Sequence, residues 1–394
     1  MKVCFICFDF KKSNIRRQPW KYVYELSEGI VEKGFELTLI SNGQGQNANV
    51  LDGIKIRYVR QLRSIFGESK EVLQVLTEEN PDVVVMLLGM TSFLRFGFKI
   101  DKPVIGILTS PIYSMGEILR CLGLREIIRH FHHVSVHLLG AAIPKFIIRK
   151  WANRFEYIVV LSEENKRRLE KINISSKILL LPPGVDELYL KPPDKEDIER
   201  IRKEINPEGT PIIMYFTSPL TLRGTDTLVK AFAKVRKKIP SKLVFLSRLE
   251  HKELTREEQV LKKVARKEGM SDSIVFISKL LKPEEVKLYV CVADIVCLPF
   301  KIVISDVPIS LLEAMALGKP VVSTNVNGIP DLLKGIIVEP NNPDELAKAI
   351  IKLLKDKELA NKVGEEARLY IESYPRWRDV QEKFVSIIEE VLNK

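Results

Sequence analysis

Short apolar runs alternate with amphipathic stretches along most of this chain. Val3–Phe8, Glu36–Ile40, Ile54–Arg57, Val83–Leu88, Val104–Leu108 and Tyr157–Leu161 read as strands. Trp20–Lys33 and Glu71–Glu79 carry the helical period between them. Such alternation predicts a parallel, doubly wound α/β sheet, with ligands at the carboxyl ends of its strands. The pattern then repeats. Pro211–Phe216, Lys242–Leu246, the run opening at Ile274, Ala293–Pro299, Val321-Val322 and Ile336–Val338 are strand-like. Asp344–Leu354 and Ala360–Ile371 are amphipathic helices. Lys191–Gly209 is rich in charge and proline and reads as a linker. The expected division is a first domain over 1–190, a linker over 191–210 and a second domain over 211–375.

Length and composition agree with two cores. The chain has 394 residues, 45% hydrophobic and 29% charged, which is globular rather than disordered. Met1 opens almost directly onto the first strand, so no leader is expected. No run reaches the roughly 18–20 apolar residues of a spanning helix. The five cysteines, an odd number, argue against a disulfide framework. Cys4 and Cys7 form a C-x-x-C, but within a strand they point to opposite faces and read as buried apolar residues. Together these features make a cytoplasmic protein the expectation.

The stretch 305–324, SDVPISLLEAMALGKPVVST, is the most informative. Ser305 or Asp306 can cap a helix, and Pro308 suits its first turn. Leu311, Leu312, Met315 and Ala316 recur at helical spacing. Gly318 ends the helix, Pro320 prevents its return, and Val321-Val322 starts a buried strand. The N–H groups of Ile309, Ser310 and Leu311 would open toward the preceding loop and suit an anion. Glu313, one turn on, can accept two hydrogen bonds from neighbouring hydroxyls such as those of a ribose. By spacing alone, an ordinary helix with a solvated Glu313 is the better reading.

Leu312–Val322, and less closely 299–330, resembles the signature of the retaining family 4 glycosyltransferases of GT-B fold: Glu, seven residues, Glu, then Ala-Met-Ala-x-Gly-x-Pro-Val-Val. The resemblance implies two Rossmann-like domains facing across a cleft, with the final helix, 376–394, crossing back onto the first. It implies a nucleotide-diphosphate sugar as donor, Glu313 as the second Glu, and no metal cofactor. The first Glu of the pair falls on Ser305, and Asp306 is the neighbour able to stand in. In the loop after Phe216, the family's Lys-Gly pair corresponds to Arg223-Gly224 and its arginine to Ser218. Arg248, at the end of the next strand, could restore that charge. Ser278 and Lys279 fall where the family meets the nucleotide. Ile158–Asn165 and Ile178–Asp186 are similar to family landmarks at the domain junction, and Asp294 reads as structural. Where family members carry two glycines, this chain has Arg17 and Gln18, so Arg16 and Arg17 become candidates for gripping a phosphate.

The net charge of +11 is unevenly spread: 117–155 holds seven bases against two acids. No recognition helix or aromatic stacking motif accompanies it, which argues against nucleic acid. Leu124, Ile127, Ile128 and Phe131 would share one helical face. The segment Lys145–Trp151 mixes bases with apolar bulk, as interfacial segments do. An anionic membrane surface and a glycan or lipid-linked acceptor are therefore expected, with the protein peripheral on the membrane's inner face. An ordinary helix is the alternative for 145–155. His132, His133 and His137 lack the Glu or Cys that would complete a metal set. Two other activities remain open: a degenerate relative that binds nucleotide or lipid with little transfer, and a GT-B sugar-nucleotide epimerase.

Overall fold

A computed structural model describes residues 1–43, 49–64, 67–94, 99–247, 256–279 and 281–393. The first sheet is built from β1 (Lys2–Ile6), β2 (Glu36–Asn42), β3 (Asn49–Leu51), β4 (Ile54–Val59), β7 (Val83–Leu88), β8 (Val104–Leu108), β9 (Tyr157–Val160) and β10 (Lys177–Leu180). A separate two-stranded ribbon, β5 (Arg63–Ser64) and β6 (Gly67–Glu68), lies between β4 and β7 in the chain. The strand order is β10-β9-β8-β7-β1-β2-β4-β3, and all pairs are parallel except β3 with β4. The second sheet holds β11 (Ile212–Tyr215), β12 (Lys242–Ser247), β13 (Ile274–Ser278), β14 (Ile295–Leu298), β15 (Val321–Thr324) and β16 (Ile336–Val338). Its order is β13-β12-β11-β14-β15-β16, all parallel. These are two Rossmann-like α/β domains facing across a cleft, the fold expected from the sequence.

Helices cover both faces of each sheet, so the central strands read as continuous apolar runs rather than alternating ones. Every residue of β7, β11 and β14 is buried. Cys4 and Cys7 lie on opposite sides of β1, each in a different core cluster. The strand order reverses beside β1 in the first sheet and between β11 and β14 in the second. Such reversals leave a crevice at the carboxyl ends of the strands. The loops after β1, β11 and β14 open into these crevices.

The stretch read as a linker is instead largely helical. Lys195–Ile205 packs on the helix Pro283–Val292 of the second domain. Arg202 Nη2 reaches Asp294 Oδ2 at 2.8 Å, and that oxygen also accepts from Ile212 N at 2.7 Å. Asp294 thus has the structural part expected of it. The helix Trp377–Leu392 packs on Trp20–Glu32. Gly29 makes this approach possible, since a Cβ there would come within 2.6 Å of Gln381.

The segment 115–152 forms three helices, Met115–Arg129, Phe131–Ala141 and Lys145–Ala152. Gly123, at φ 70°, breaks the first, and Phe131 falls in the second, so Leu124, Ile127, Ile128 and Phe131 do not lie on one helix. Ile127 turns into the core, while Leu124, Ile128 and Phe131 are exposed.

Candidate functional site

The loop after β11 carries the first part of the site. Tyr215 Oη donates to Ser218 O at 2.7 Å, which shapes the loop by its carbonyl rather than by the serine hydroxyl. A 3-10 turn, Thr221–Arg223, follows, then Gly224 and the helix Thr225–Arg236. Arg223 Nη1 donates to Thr217 Oγ1. Among the described residues no carboxylate lies within ion-pair distance of this guanidinium. Burial lowers its pKa from the usual arginine value, with Tyr215 opposing. A desolvated, unpaired guanidinium is a strong seat for an anion.

The loop after β14 lies against this turn. Lys301 N and Ile302 N both donate to Leu222 O, at 3.2 and 3.1 Å. The loop leads into the helix Ile309–Ala316. Its N-cap is Pro308, without a side-chain cap, so neither Ser305 nor Asp306 takes the capping place expected of it. Leu311 N donates back to Pro308 O at 3.0 Å and is not available to a ligand. The amides of Ile309 and Ser310 have no such partner among the described residues. Ser305 Oγ is buried without a hydrogen-bond partner among the described residues. Glu313 is buried, 5% exposed, on the second turn. Gly318, at φ 65°, ends the helix as its position in the sequence implies.

Asp306 faces away from the place expected of it. Its N–H donates to Thr109 O at 2.8 Å. Its Oδ1 accepts from Ser162 Oγ at 2.9 Å and from Asn327 Nδ2 at 2.5 Å. At 1% exposure it joins the two domains and cannot hold a donor sugar in this arrangement. Oδ2 has no partner among the described residues, and burial pushes the pKa up to about 7 against the opposing bonds from Ser162 and Asn327. The folded state therefore holds this proton more tightly than the unfolded chain. The stability it contributes is present at low pH and is lost as pH rises from about 4 towards 7. Asp306→Asn should remove that dependence. Thermal midpoints measured across the window should show the wild type losing ground to the variant as pH rises; a constant difference would refute the assignment.

The remaining candidates lie elsewhere in the cleft or beyond it. Arg16 and Arg17 are exposed on the loop after β1. Asn14, rather than glycine, fixes that loop: its Nδ2 donates to Asp9 O at 2.5 Å and its Oδ1 accepts from Lys11 N at 3.1 Å. Gln18, at the mouth of the helix Trp20–Glu32, has both amide atoms buried and unpartnered among the described residues. Ser278 Oγ donates to Glu258 Oε1 at 2.8 Å, and Lys279 Nζ lies over the Tyr289 ring. Both line an open groove of about 550 Å³ at the edge of the second sheet, which shares no lining residue with the Arg223 turn. Arg248 falls outside the described residues. His137 is buried with its ring edge-on to Tyr113 at 5.5 Å, and burial lowers its pKa to about 4.

Five groups that no sequence pattern marked as candidates meet between the domains. Lys301, 1% exposed, pairs with Asp226 Oδ2 at 2.9 Å and lies 4.0 Å from Glu126 Oε2. His130 Nε2 lies 2.7 Å from Thr221 Oγ1. A basic residue after Pro-Phe carries no sign that it will be buried, because its carboxylate partners are distant in the chain, Asp226 by 75 residues and Glu126 by far more.

Comparison with known proteins places each half. Residues 197–370 match the model described as Glycosyl transferases group 1, and residues 20–187 match Glycosyltransferase Family 4. The GDP-mannose-dependent alpha-(1-6)-phosphatidylinositol monomannoside mannosyltransferase of Mycobacterium tuberculosis is 23% identical over 290 residues, 71% of this chain and 73% of that protein. An uncharacterized glycosyltransferase of Methanocaldococcus jannaschii, MJ1607, is 23% identical over 385 residues, 92% of this chain and 91% of its own. Sucrose-phosphate synthase from Thermosynechococcus elongatus superposes with a TM-score of 0.73 at 16% identity, covering 100% of this chain and 99% of that one. At that identity the superposition bears on the fold alone.

Proposed function

The chain belongs to the GT-B glycosyltransferase superfamily, related to the group 1 and family 4 enzymes its two halves match, and we propose that it transfers a hexosyl group, with retention, from a nucleoside-diphosphate sugar to a lipid-linked or glycan acceptor at an anionic membrane surface. The observation that carries this reading is the unpaired Arg223 guanidinium, next to the loop leading to the uncapped amides of Ile309 and Ser310. In the reaction the bond from the anomeric carbon to the phosphate oxygen breaks. An acceptor hydroxyl oxygen forms the new bond, and its proton passes to the departing phosphate oxygen. The electron pair leaves with the pyrophosphate, so negative charge grows there. Positive groups fixed in advance at that place stabilise the transition state more than the ground state. Arg223 takes this role, with the two amides beside it. Glu313 anchors the ribose hydroxyls, and Ser305 completes the donor side. Arg16, Arg17 and Gln18 line the acceptor side.

The test is incubation with a panel of UDP- and GDP-sugars, with product analysis. Transfer or donor hydrolysis supports the reading. Nucleotide binding without turnover supports a degenerate binder, a reading favoured by Asp306 having turned away from the cleft. Recovery of an epimerised donor supports the third.

The surface of 115–152 supports the membrane and lipid part. Ile128 is 76% exposed, Phe146 70% and Leu124 69%, with Arg125, Arg129, Lys145 and Lys150 exposed beside them. Among the described residues no single helix is long and apolar enough to cross a membrane. Phe131–Ala141 and Lys145–Ala152, bent by 82°, reach that length and composition together. Each base near an anionic surface contributes about 1 kcal/mol. The mycobacterial relative named above has a lipid acceptor in its name, which fits. Flotation with vesicles should show binding that needs anionic lipid. Ile128→Ser with Phe146→Ser should weaken it at least about tenfold with no loss of thermal stability, since both side chains are exposed. Equal binding by the variant would remove this surface from the account.

A further inference from the structure

We propose that His130 is a positioning residue: reaching across from the first domain, it holds the turn that carries Arg223 and so sets where that guanidinium meets the donor pyrophosphate. The inference rests on the transfer reading and adds to it a residue that no sequence motif marks.

The geometry is local and specific. His130 follows the helix Met115–Arg129, and its N–H donates to Glu126 O at 2.9 Å. Its Nε2 is 2.7 Å from Thr221 Oγ1. Thr221 opens the three-residue turn that ends in Arg223, and Gly224 N closes it by donating to Thr221 O at 2.9 Å. Any shift of Thr221 therefore moves Arg223. Behind the turn, Lys301 and Asp226 form a rigid base within the second domain, their charged groups 2.9 Å apart. Glu126 completes the frame from the first domain. Its Oε2 lies 3.4 Å from His130 Nε2 and 4.0 Å from Lys301 Nζ, and its Oε1 accepts from Arg129 Nη1 at 3.0 Å.

When the domains part, the Lys301–Asp226 pair stays whole, because both partners lie in one domain. The contacts of His130 and Glu126 are the ones lost. The Arg223 turn is thus held on both sides only with the domains together. Burial lowers the His130 pKa, against the pull of Glu126, which favours the neutral ring that suits a hydroxyl partner. Small errors in placing a catalytic charge are costly, which makes such a clamp effective.

The test is a double-mutant cycle in the full chain with His130→Ala, Thr221→Val and the double variant. Each single change should lower kcat about tenfold while donor KM moves less than about threefold, and the double should be no worse than the poorer single. His130→Gln, which keeps a hydrogen-bonding group in reach, should recover most of the loss. Amide hydrogen exchange with GDP or UDP bound gives a readout free of turnover. In His130→Ala the Arg223 and Gly224 amides should exchange several-fold faster, while core amides of β11 should not change. Unchanged exchange, unchanged kcat, or losses that multiply in the double would each overturn the proposal. Faster exchange in a protein that transfers no sugar from any donor would uphold the clamp and refute the transfer reading.

Discussion

Arg223→Ala should lower transfer by about 10²–10³-fold, equal to roughly 3–4 kcal/mol of transition-state stabilisation, the range seen when one fixed donor to a developing anion is removed. The change should fall mainly on kcat. Before the bond breaks, the pyrophosphate charge is shared with the sugar ester; afterwards it is concentrated on the leaving group. Stability should respond in the opposite sense. The guanidinium is desolvated, and its contact is a neutral hydroxyl, Thr217 Oγ1. Removing a half-buried charge that lacks a carboxylate partner among the described residues relieves a cost, so the thermal midpoint should hold or rise. A residue kept for folding would show the reverse pairing, with normal kcat and a lower midpoint. Arg223→Lys should recover part of the rate, since a point charge cannot present the two-pronged fork to two phosphate oxygens. Steady-state kinetics on the best donor and a melting curve on each variant are sufficient, and full activity in Arg223→Ala would end the assignment.

Gly224→Ala should be the most damaging single methyl in the second domain. The backbone is left-handed there, at φ 78°, which costs an L-residue roughly 1–2 kcal/mol. A Cβ would also come within 1.8 Å of Pro299 O. That neighbour is backbone, on the loop after β14, and cannot rotate away as a side chain would. Overpacking of this kind costs about 1–3 kcal/mol more. Roughly 3–4 kcal/mol in total is expected by chemical denaturation. Any folded protein should also be slow, because the loop that must yield carries Lys301 and leads to Ile309. Wild-type stability and rate would mean that the loops after β11 and β14 do not meet as described.

Part of this was legible in the chain. The strands announce themselves as short apolar runs, and nearly all of them form where the pattern puts them. The helix Ile309–Ala316, its ending at Gly318 and the strand after it follow from residues within a few positions of one another. The separate ribbon β5–β6 and the short β3 had no such signal, being two or three residues long. Lys191–Gly209 misled because charge and proline suit a linker and an exposed helix equally. Lys195–Ile205 is the latter, with Ile201 as its buried anchor. Of the four apolar residues after Gly123 that share a helical period, Ile127 alone reaches the core, and Phe131 already belongs to the next helix.

Sequence by itself determined the class of fold, the two-domain plan and the part of the site that lies within one turn or one helix. Arg223-Gly224 and Glu313 are the candidates it named there. Tertiary structure alone decided which polar groups meet between the domains. Asp306 could be named as a candidate for the sugar, yet its carboxylate bonds Ser162, 144 residues earlier. His130 meets Thr221 across 91 residues. Periodicity and turn chemistry are short-range effects, set by neighbours on the same strand or helix. A contact across a cleft depends on how two separately folded bodies come to rest against each other, and no local pattern records that.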